Sequence, residues 1–164
     1  GVRLQTPAGT GVRVLVDTSV WSLALRRDDN RLNPEREELR RLVSDHVAVI
    51  VGPVRQEILS GVRDQAQFVR LEAHLAAFPD VPLLTEDYVT AANFFNLCRS
   101  KGIQGSNTDF LICAVAVRCD LAIFTTDGDF QHFAQCLPIV LHGIKTKAGA
   151  PPRSLLRRTA KGAE

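Results

Sequence analysis

The run Val14-Leu15-Val16 stops at Asp17, and Thr18-Ser19-Val20-Trp21 follows at once, with Leu23, Ala24 and Leu25 at helical spacing. A short β-branched-rich run joined directly to N-cap residue types is a strand that turns straight into a helix. No other stretch constrains the fold as much. It sets a carboxylate at the carboxyl edge of a parallel sheet, where open α/β layers place their ligands. The rest of the chain alternates in the same way. Strand-length apolar runs at 47–51, 81–84, 121–124 and 139–141 are separated by amphipathic helices, and a continuous run such as V-A-V-I-V at 47–51 is expected of a strand buried on both faces. The predicted class is α/β, a three-layer sandwich whose central, mainly parallel sheet has four to five strands.

Helices are expected from 18 to about 27, from Asn33-Pro34 onward, after Gly52-Pro53, over 64–78, from Thr85-Glu86-Asp87 to Lys101-Gly102, and over a short stretch near 130–136. Residues 110–117 are apolar on every side, which predicts that their helix is the central buried one. At 164 residues, with 45% hydrophobic and 23% charged side chains, the chain has the composition of one ordinary globular domain. The expected division is a flexible N-terminal extension at 1–11, the domain at 12–144 and a basic, disordered tail at 145–164. No apolar run approaches the ~20 residues of a membrane span. No leader core is seen either, so the expected compartment is the cytoplasm. Cys98, Cys113, Cys119 and Cys136 show no zinc spacing and are read as reduced structural thiols. The net charge of +2 is uneven: the tail carries six basic groups and one acid, whereas residues 1–144 carry 14 basic and 17 acidic groups.

Three further acids occupy positions comparable to Asp17. Asp127 follows the 121–124 strand as Asp17 follows the first. Asp109 opens the central helix; a capping role would explain it, but Ser106, Asn107 and Thr108 already offer capping side chains. Glu57 lies one turn into the helix after Pro53, on the edge of the stripe formed by Val54, Ile58, Gly61 and Val62, where a cation partner is expected. Asp129 follows closely and either supports the group or simply starts the next helix. Strand ends and helix starts of a right-handed α/β layer lie on one side, so these acids should meet. Carboxylates gathered without Lys or Arg repel one another, and a hard divalent cation, Mg²⁺ or Mn²⁺, removes that penalty. His46, His74, His132 and His142 lie away from these motifs, which argues against a zinc hydrolase.

The segments V-L-V-D-T-S-V-W at 14–21, Glu57, N-T-D-F-L-I-C-A-V-A at 107–116 and F-T-T-D-G-D-F at 124–130 resemble the PIN-domain family, and most of all the VapC-type toxins of prokaryotic toxin–antitoxin pairs. The likeness spans about 13–141. It implies that Asp17, Glu57, Asp109 and Asp127 are the family's four acids, with Asp17, Asp109 and Asp127 as metal ligands and Glu57 or Asp129 as further ones. Cys113 departs from the alanine often found there. The resemblance further implies a Mg²⁺- or Mn²⁺-dependent endoribonuclease acting on RNA, a cognate VapB-like antitoxin and a homodimer.

Ser19, Thr125 and Thr126 are candidates to orient a carboxylate or a water, against the simpler reading that they cap or turn the backbone. Because residues 1–144 are mildly acidic, RNA phosphates must meet local basic groups: Arg26, Arg27, Arg55 or the tail. The rival reading is a catalytically inactive PIN-fold module that binds RNA or protein. Phosphotransfer domains fit poorly. Ser19 stands where haloacid-dehalogenase-type phosphatases need a second Asp, and Asp17 lacks the acidic neighbour of receiver domains.

Overall fold

A computed structural model describes residues 12–25 and 33–144. Its element order is β1 (Val14–Val16), α1 (Thr18–Leu25), α2 (Pro34–Ser44), β2 (Ala48–Val49), α3 (Gly52–Ser60), α4 (Gln65–Leu75), α5 (Thr85–Ser100), α6 (Asn107–Cys119), β3 (Ala122–Phe124), α7 (Asp129–Phe133) and β4 (Val140–Leu141). The four strands form one sheet in the order β2-β1-β3-β4, parallel at every pairing, with Val14 opposite both Ala48 and Ala122. The α/β class and the parallel sheet are as the sequence predicts. The expected 81–84 strand is a correction: this segment contributes one parallel bridge, Asp80 to Ile50, and the Val81 N–H donates to the Ile50 carbonyl at 2.8 Å. Beyond the bridge the backbone is bonded elsewhere: the Pro82 carbonyl accepts from Arg118 Nη2 at 2.7 Å and the Leu84 N–H donates to Asp87 Oδ2 at 2.8 Å, at the start of α5.

Because β2 and β3 lie on opposite sides of β1, the chain reverses direction across the sheet at the β1/β3 boundary. The carboxyl ends of those two strands frame the crevice in which such sheets bind ligands. The Asp17 N–H donates to the Phe124 carbonyl at 2.9 Å, which holds the two ends together just beyond the last strand pair.

α6 is the buried helix the sequence predicts: every residue from Phe110 to Ala116 is buried, packed along α5 and against β3. The loop before it, which positions Asp109, is backed by the Phe110 and Phe133 rings, 4.9 Å apart. A Cβ on Gly105 would lie 2.5 Å from Phe133 Cζ and 3.0 Å from Phe110 Cε2, so only glycine lets this loop approach so closely. α2 is capped by Asn33, whose side chain accepts from the Arg36 N–H, and it begins with Pro34, as read from the sequence.

Two buried carboxylates hold elements together by ion pairs that the sequence does not announce. Asp87, 1% exposed, reaches back to the Leu84 N–H and receives the Arg118 guanidinium at 2.6 Å, joining α5 to α6. Glu38 takes Arg41 at 2.7 Å and His142 Nε2 at 2.6 Å, joining α2 to the segment after β4. The cysteines are all free. Cys98 and Cys136 Sγ lie 3.1 Å apart, and burial pushes the Cys98 thiol up to about 12. Among the described residues no helix is long and apolar enough to cross a membrane. The readings of 1–11 and 145–164 as extension and tail lie outside the described residues.

Candidate functional site

Each predicted acid is presented by the element the sequence suggests. Asp17 leaves β1 and is 6% exposed. Its Oδ2 accepts from Ser19 Oγ at 2.7 Å, from Thr125 Oγ1 at 2.9 Å and from the Ser19 N–H at 3.4 Å. Thr125 leaves β3, so one hydroxyl spans the crevice between the two strand ends. Its Oγ1 also accepts from the Asp127 N–H at 3.0 Å, and Asp127 Oδ1 accepts from the Asp129 N–H at 2.9 Å. A chain of short polar contacts therefore runs from Asp17 through Thr125 to Asp127 and fixes the turn that carries the second strand-end acid. Ser19 and Thr125 hold a carboxylate through their hydroxyls. Thr126 differs from its expected role, because it is the Thr126 backbone N–H that donates to Ser19 Oγ, at 3.0 Å. Asp129 starts α7 and contributes through its backbone.

Asp109 does cap its helix, contrary to the reading that neighbouring residues made a cap redundant. Its Oδ2 accepts from the Ser106 N–H at 2.7 Å, and Ser106 Oγ accepts from the Asp109 N–H at 3.1 Å. This reciprocal pair orients the side chain and uses only one carboxylate oxygen. Burial raises the Asp109 carboxyl above its usual range, and the negative charges of Asp17 and Asp127 raise it further, against the lowering by Ser106.

Glu57 departs from expectation in its surroundings. It is exposed rather than inward-facing, and its partner is a hydroxyl rather than a cation: Thr18 Oγ1 donates to Glu57 Oε2 at 3.0 Å. Thr18 follows Asp17 directly, so this bond draws α3 toward the mouth of the crevice. Reasoning from the sequence took Thr18 only as a cap type; a hydroxyl between the strand-end acid and Ser19 was the available signal.

Of the basic residues expected to meet RNA, only Arg55 lies among the described residues. Arg55 is committed to structure: its Nε donates to Asp80 Oδ1 at 2.9 Å, its Nη1 to the Leu75 carbonyl at 2.9 Å and its Nη2 to the Phe78 carbonyl. It fastens α3 to the end of α4, and an arginine one residue into a helix after Pro-Val gave no hint of that. Arg26 and Arg27 lie outside the described residues.

Asp17, Glu57, Asp109 and Asp127 thus share one pattern. In each, one carboxylate oxygen is held by a hydrogen bond, and the other accepts none among the described residues. None of the four joins an ion pair among those residues. Hard oxygen donors, oriented and left out of ion pairs among the described residues, suit a divalent cation of the Mg²⁺ or Mn²⁺ type. Among the described residues no three His, Cys, Asp or Glu side chains stand together at ion-holding distance, so the donors fit such an ion in chemistry and charge rather than as a closed cage.

Among solved structures, the chain is similar to FitAcB from Neisseria gonorrhoeae, with 19% identity, a TM-score of 0.64 and coverage of 79% of this chain and 96% of that one. It is also similar to VapBC2 from Rickettsia felis, solved bound to a DNA fragment from their promoter, with 15% identity, a TM-score of 0.64 and coverage of 79% and 96%. A third similar structure is VapBC-5 from Mycobacterium tuberculosis, a member of the VapBC family of toxin-antitoxin systems, with 18% identity, a TM-score of 0.56 and coverage of 80% and 100%. No match is found among curated proteins. The PIN domain family model matches residues 14–135, a span that takes in β1, the switch-point crevice and all four acids, and the chain belongs to the PIN domain family.

Proposed function

We propose that this chain is a Mg²⁺- or Mn²⁺-dependent endoribonuclease, the toxin of a type II toxin–antitoxin pair. The observation that carries this reading is the set of four acids from separate segments, each oriented through one oxygen and none matched with a basic side chain. The membership in the PIN family and the likeness to toxin–antitoxin structures support it.

In this reading Asp17, Asp109 and Asp127 hold the ion, and Glu57 either holds a second one or positions the attacking water. A divalent ion bound there lowers the pKa of water and offsets the charge that builds on the phosphorane-like transition state. Thr125 and Ser19 keep the Asp17 carboxylate from rotating, and Ser106 does the same for Asp109, so the donors are directed before substrate arrives. Thr18 holds Glu57 toward the crevice. The raised Asp109 carboxyl marks a charge the fold does not neutralise by itself. A VapB-like antitoxin as inhibitory partner and a homodimer as working form belong to the same proposal.

The test is cleavage of RNA by purified protein in Mg²⁺, in Mn²⁺ and in EDTA, beside Asp17→Asn and Asp109→Asn variants shown to be folded by circular dichroism. The expected result is cleavage that EDTA stops, that added metal restores, and that either variant lowers by about 100- to 1000-fold, the usual cost of removing one electrostatic contributor. Cleavage that persists in EDTA, or at full rate in either variant, overturns the proposal. A wild-type protein that binds metal but cuts no RNA would favour the module that binds without cutting.

A further inference from the structure

A groove of about 720 Å³ opens beside Glu57 and runs between α1, α3 and α4. Its floor is apolar, with Ile58 and Leu71, and one wall is polar, with Gln67, Arg70 and His74 at helical spacing on α4. Arg70 is exposed, and among the described residues it makes no ion pair or hydrogen bond, although Glu57 lines the same groove and takes its own partner from Thr18. Arg40, Arg41, Arg55 and Arg118 are held in ion pairs, whereas Arg13, Arg63 and Arg99 share the lack of a partner among the described residues; what sets Arg70 apart is that it lines the groove. A guanidinium without a partner in the groove that Glu57 also lines suits an anionic ligand. Guanidinium groups favour phosphate geometry, and an apolar floor accommodates the faces of unpaired bases.

We infer that Arg70 is a positioning residue that binds a backbone phosphate of the substrate on the Glu57 side of the site, with single-stranded RNA lying along the α1/α3/α4 groove beside Gln67 and His74. This rests on the nuclease reading of the acid cluster and deepens it. Arg70 touches no reacting atom; it sets where the strand lies.

The experiment measures binding of a single-stranded RNA oligonucleotide in EDTA, where nothing is cut, at several salt concentrations. It compares the wild-type protein, Arg70→Ala, Arg70→Lys and, as a charge control away from the groove, Arg99→Ala. One neutralised phosphate on a single strand contributes about 0.7 to the slope of log affinity against log salt. Arg70→Ala should lower the slope by about that amount, while Arg70→Lys and Arg99→Ala keep it. In Mg²⁺, Arg70→Ala should raise KM for RNA several-fold with kcat unchanged. A wild-type slope in Arg70→Ala, or an equal drop in Arg99→Ala, overturns the inference. If the wild-type protein still cleaves RNA, such a result leaves the nuclease reading standing. A wild-type protein that neither binds nor cleaves RNA overturns both.

Discussion

The molecule treats its carboxylates in two opposite ways. On the α5/α6 seam Asp87 is buried against Arg118, whose guanidinium, with the Leu84 N–H, holds its carboxyl below the usual range despite burial. Glu38 is likewise held down to about 2, first by Arg41 and then by His142. At the crevice between β1 and β3, Asp109 moves the other way, raised by burial and by the charges of Asp17 and Asp127. The same fold therefore neutralises acids where they serve structure and leaves them exposed to one another where the sheet reverses direction. A raised carboxyl with no arginine beside it is what the proposed cation site requires.

Breaking the paired side should cost stability first. Arg118→Ala leaves Asp87 buried without its cation, and a loss of about 3–5 kcal/mol is expected in denaturant unfolding. A loss below about 1 kcal/mol would mean that the Asp87 pair is not the seam's fastening. The counterpart on the unpaired side is Asp109→Asn, which removes a repelled charge and can still accept from Ser106. Its unfolding free energy at pH 7 should equal or exceed that of the wild type, and a clear destabilisation would show the acid to be structural after all.

Acid titration sharpens the contrast, because the two sides have opposite signs. Glu38, with a folded value of about 2 against an ordinary 4.5, contributes stability that is fully present above about pH 4.5 and is lost as pH falls toward 2. Asp109, raised in the folded state, makes folding more favourable as pH falls through its raised folded value toward the ordinary 3.8, with no further gain below that. Glu38→Gln should therefore flatten the loss of stability between about pH 4.5 and 2, whereas Asp109→Asn should steepen the fall below neutral pH. Identical pH profiles for the two variants would contradict the assignment of charge environments. A smaller effect is expected of Thr125→Ala. It removes one of the hydrogen bonds to Asp17 Oδ2, leaving those from Ser19, and the acceptor of the Asp127 N–H, and should weaken divalent-metal affinity by about 10- to 100-fold at nearly unchanged stability.

The unpaired side was the more legible one in the sequence. Asp17 and Asp127 end strand-length runs, and Asp109 opens a helix apolar on every face, so short-range pattern alone brings three acids to one sheet edge. The paired side was not legible, because Asp87 and Arg118 are 31 residues apart and Glu38 and His142 are 104 apart, with no local signal that they meet. Arg55 was misjudged for the same reason: its partners lie 20 to 25 residues away, at the end of α4. Helical spacing puts Glu57 on the inward edge with a cation partner, yet it is exposed and Thr18 holds it, which spacing alone could not say. The 81–84 run is strand-like in composition, yet its backbone is taken by Arg118 and Asp87, and only one bridge forms beside it.

The central claim is that the crevice acids are left unneutralised in order to share a divalent cation. The most direct measurement is the thermal unfolding midpoint of the wild-type protein with and without millimolar Mg²⁺ or Mn²⁺, beside Asp17→Asn and Asp109→Asn. The account predicts that metal raises the wild-type midpoint in a concentration-dependent way and leaves both variants nearly unmoved. A wild-type midpoint indifferent to either ion, or variants that shift as much as the wild type, would contradict it.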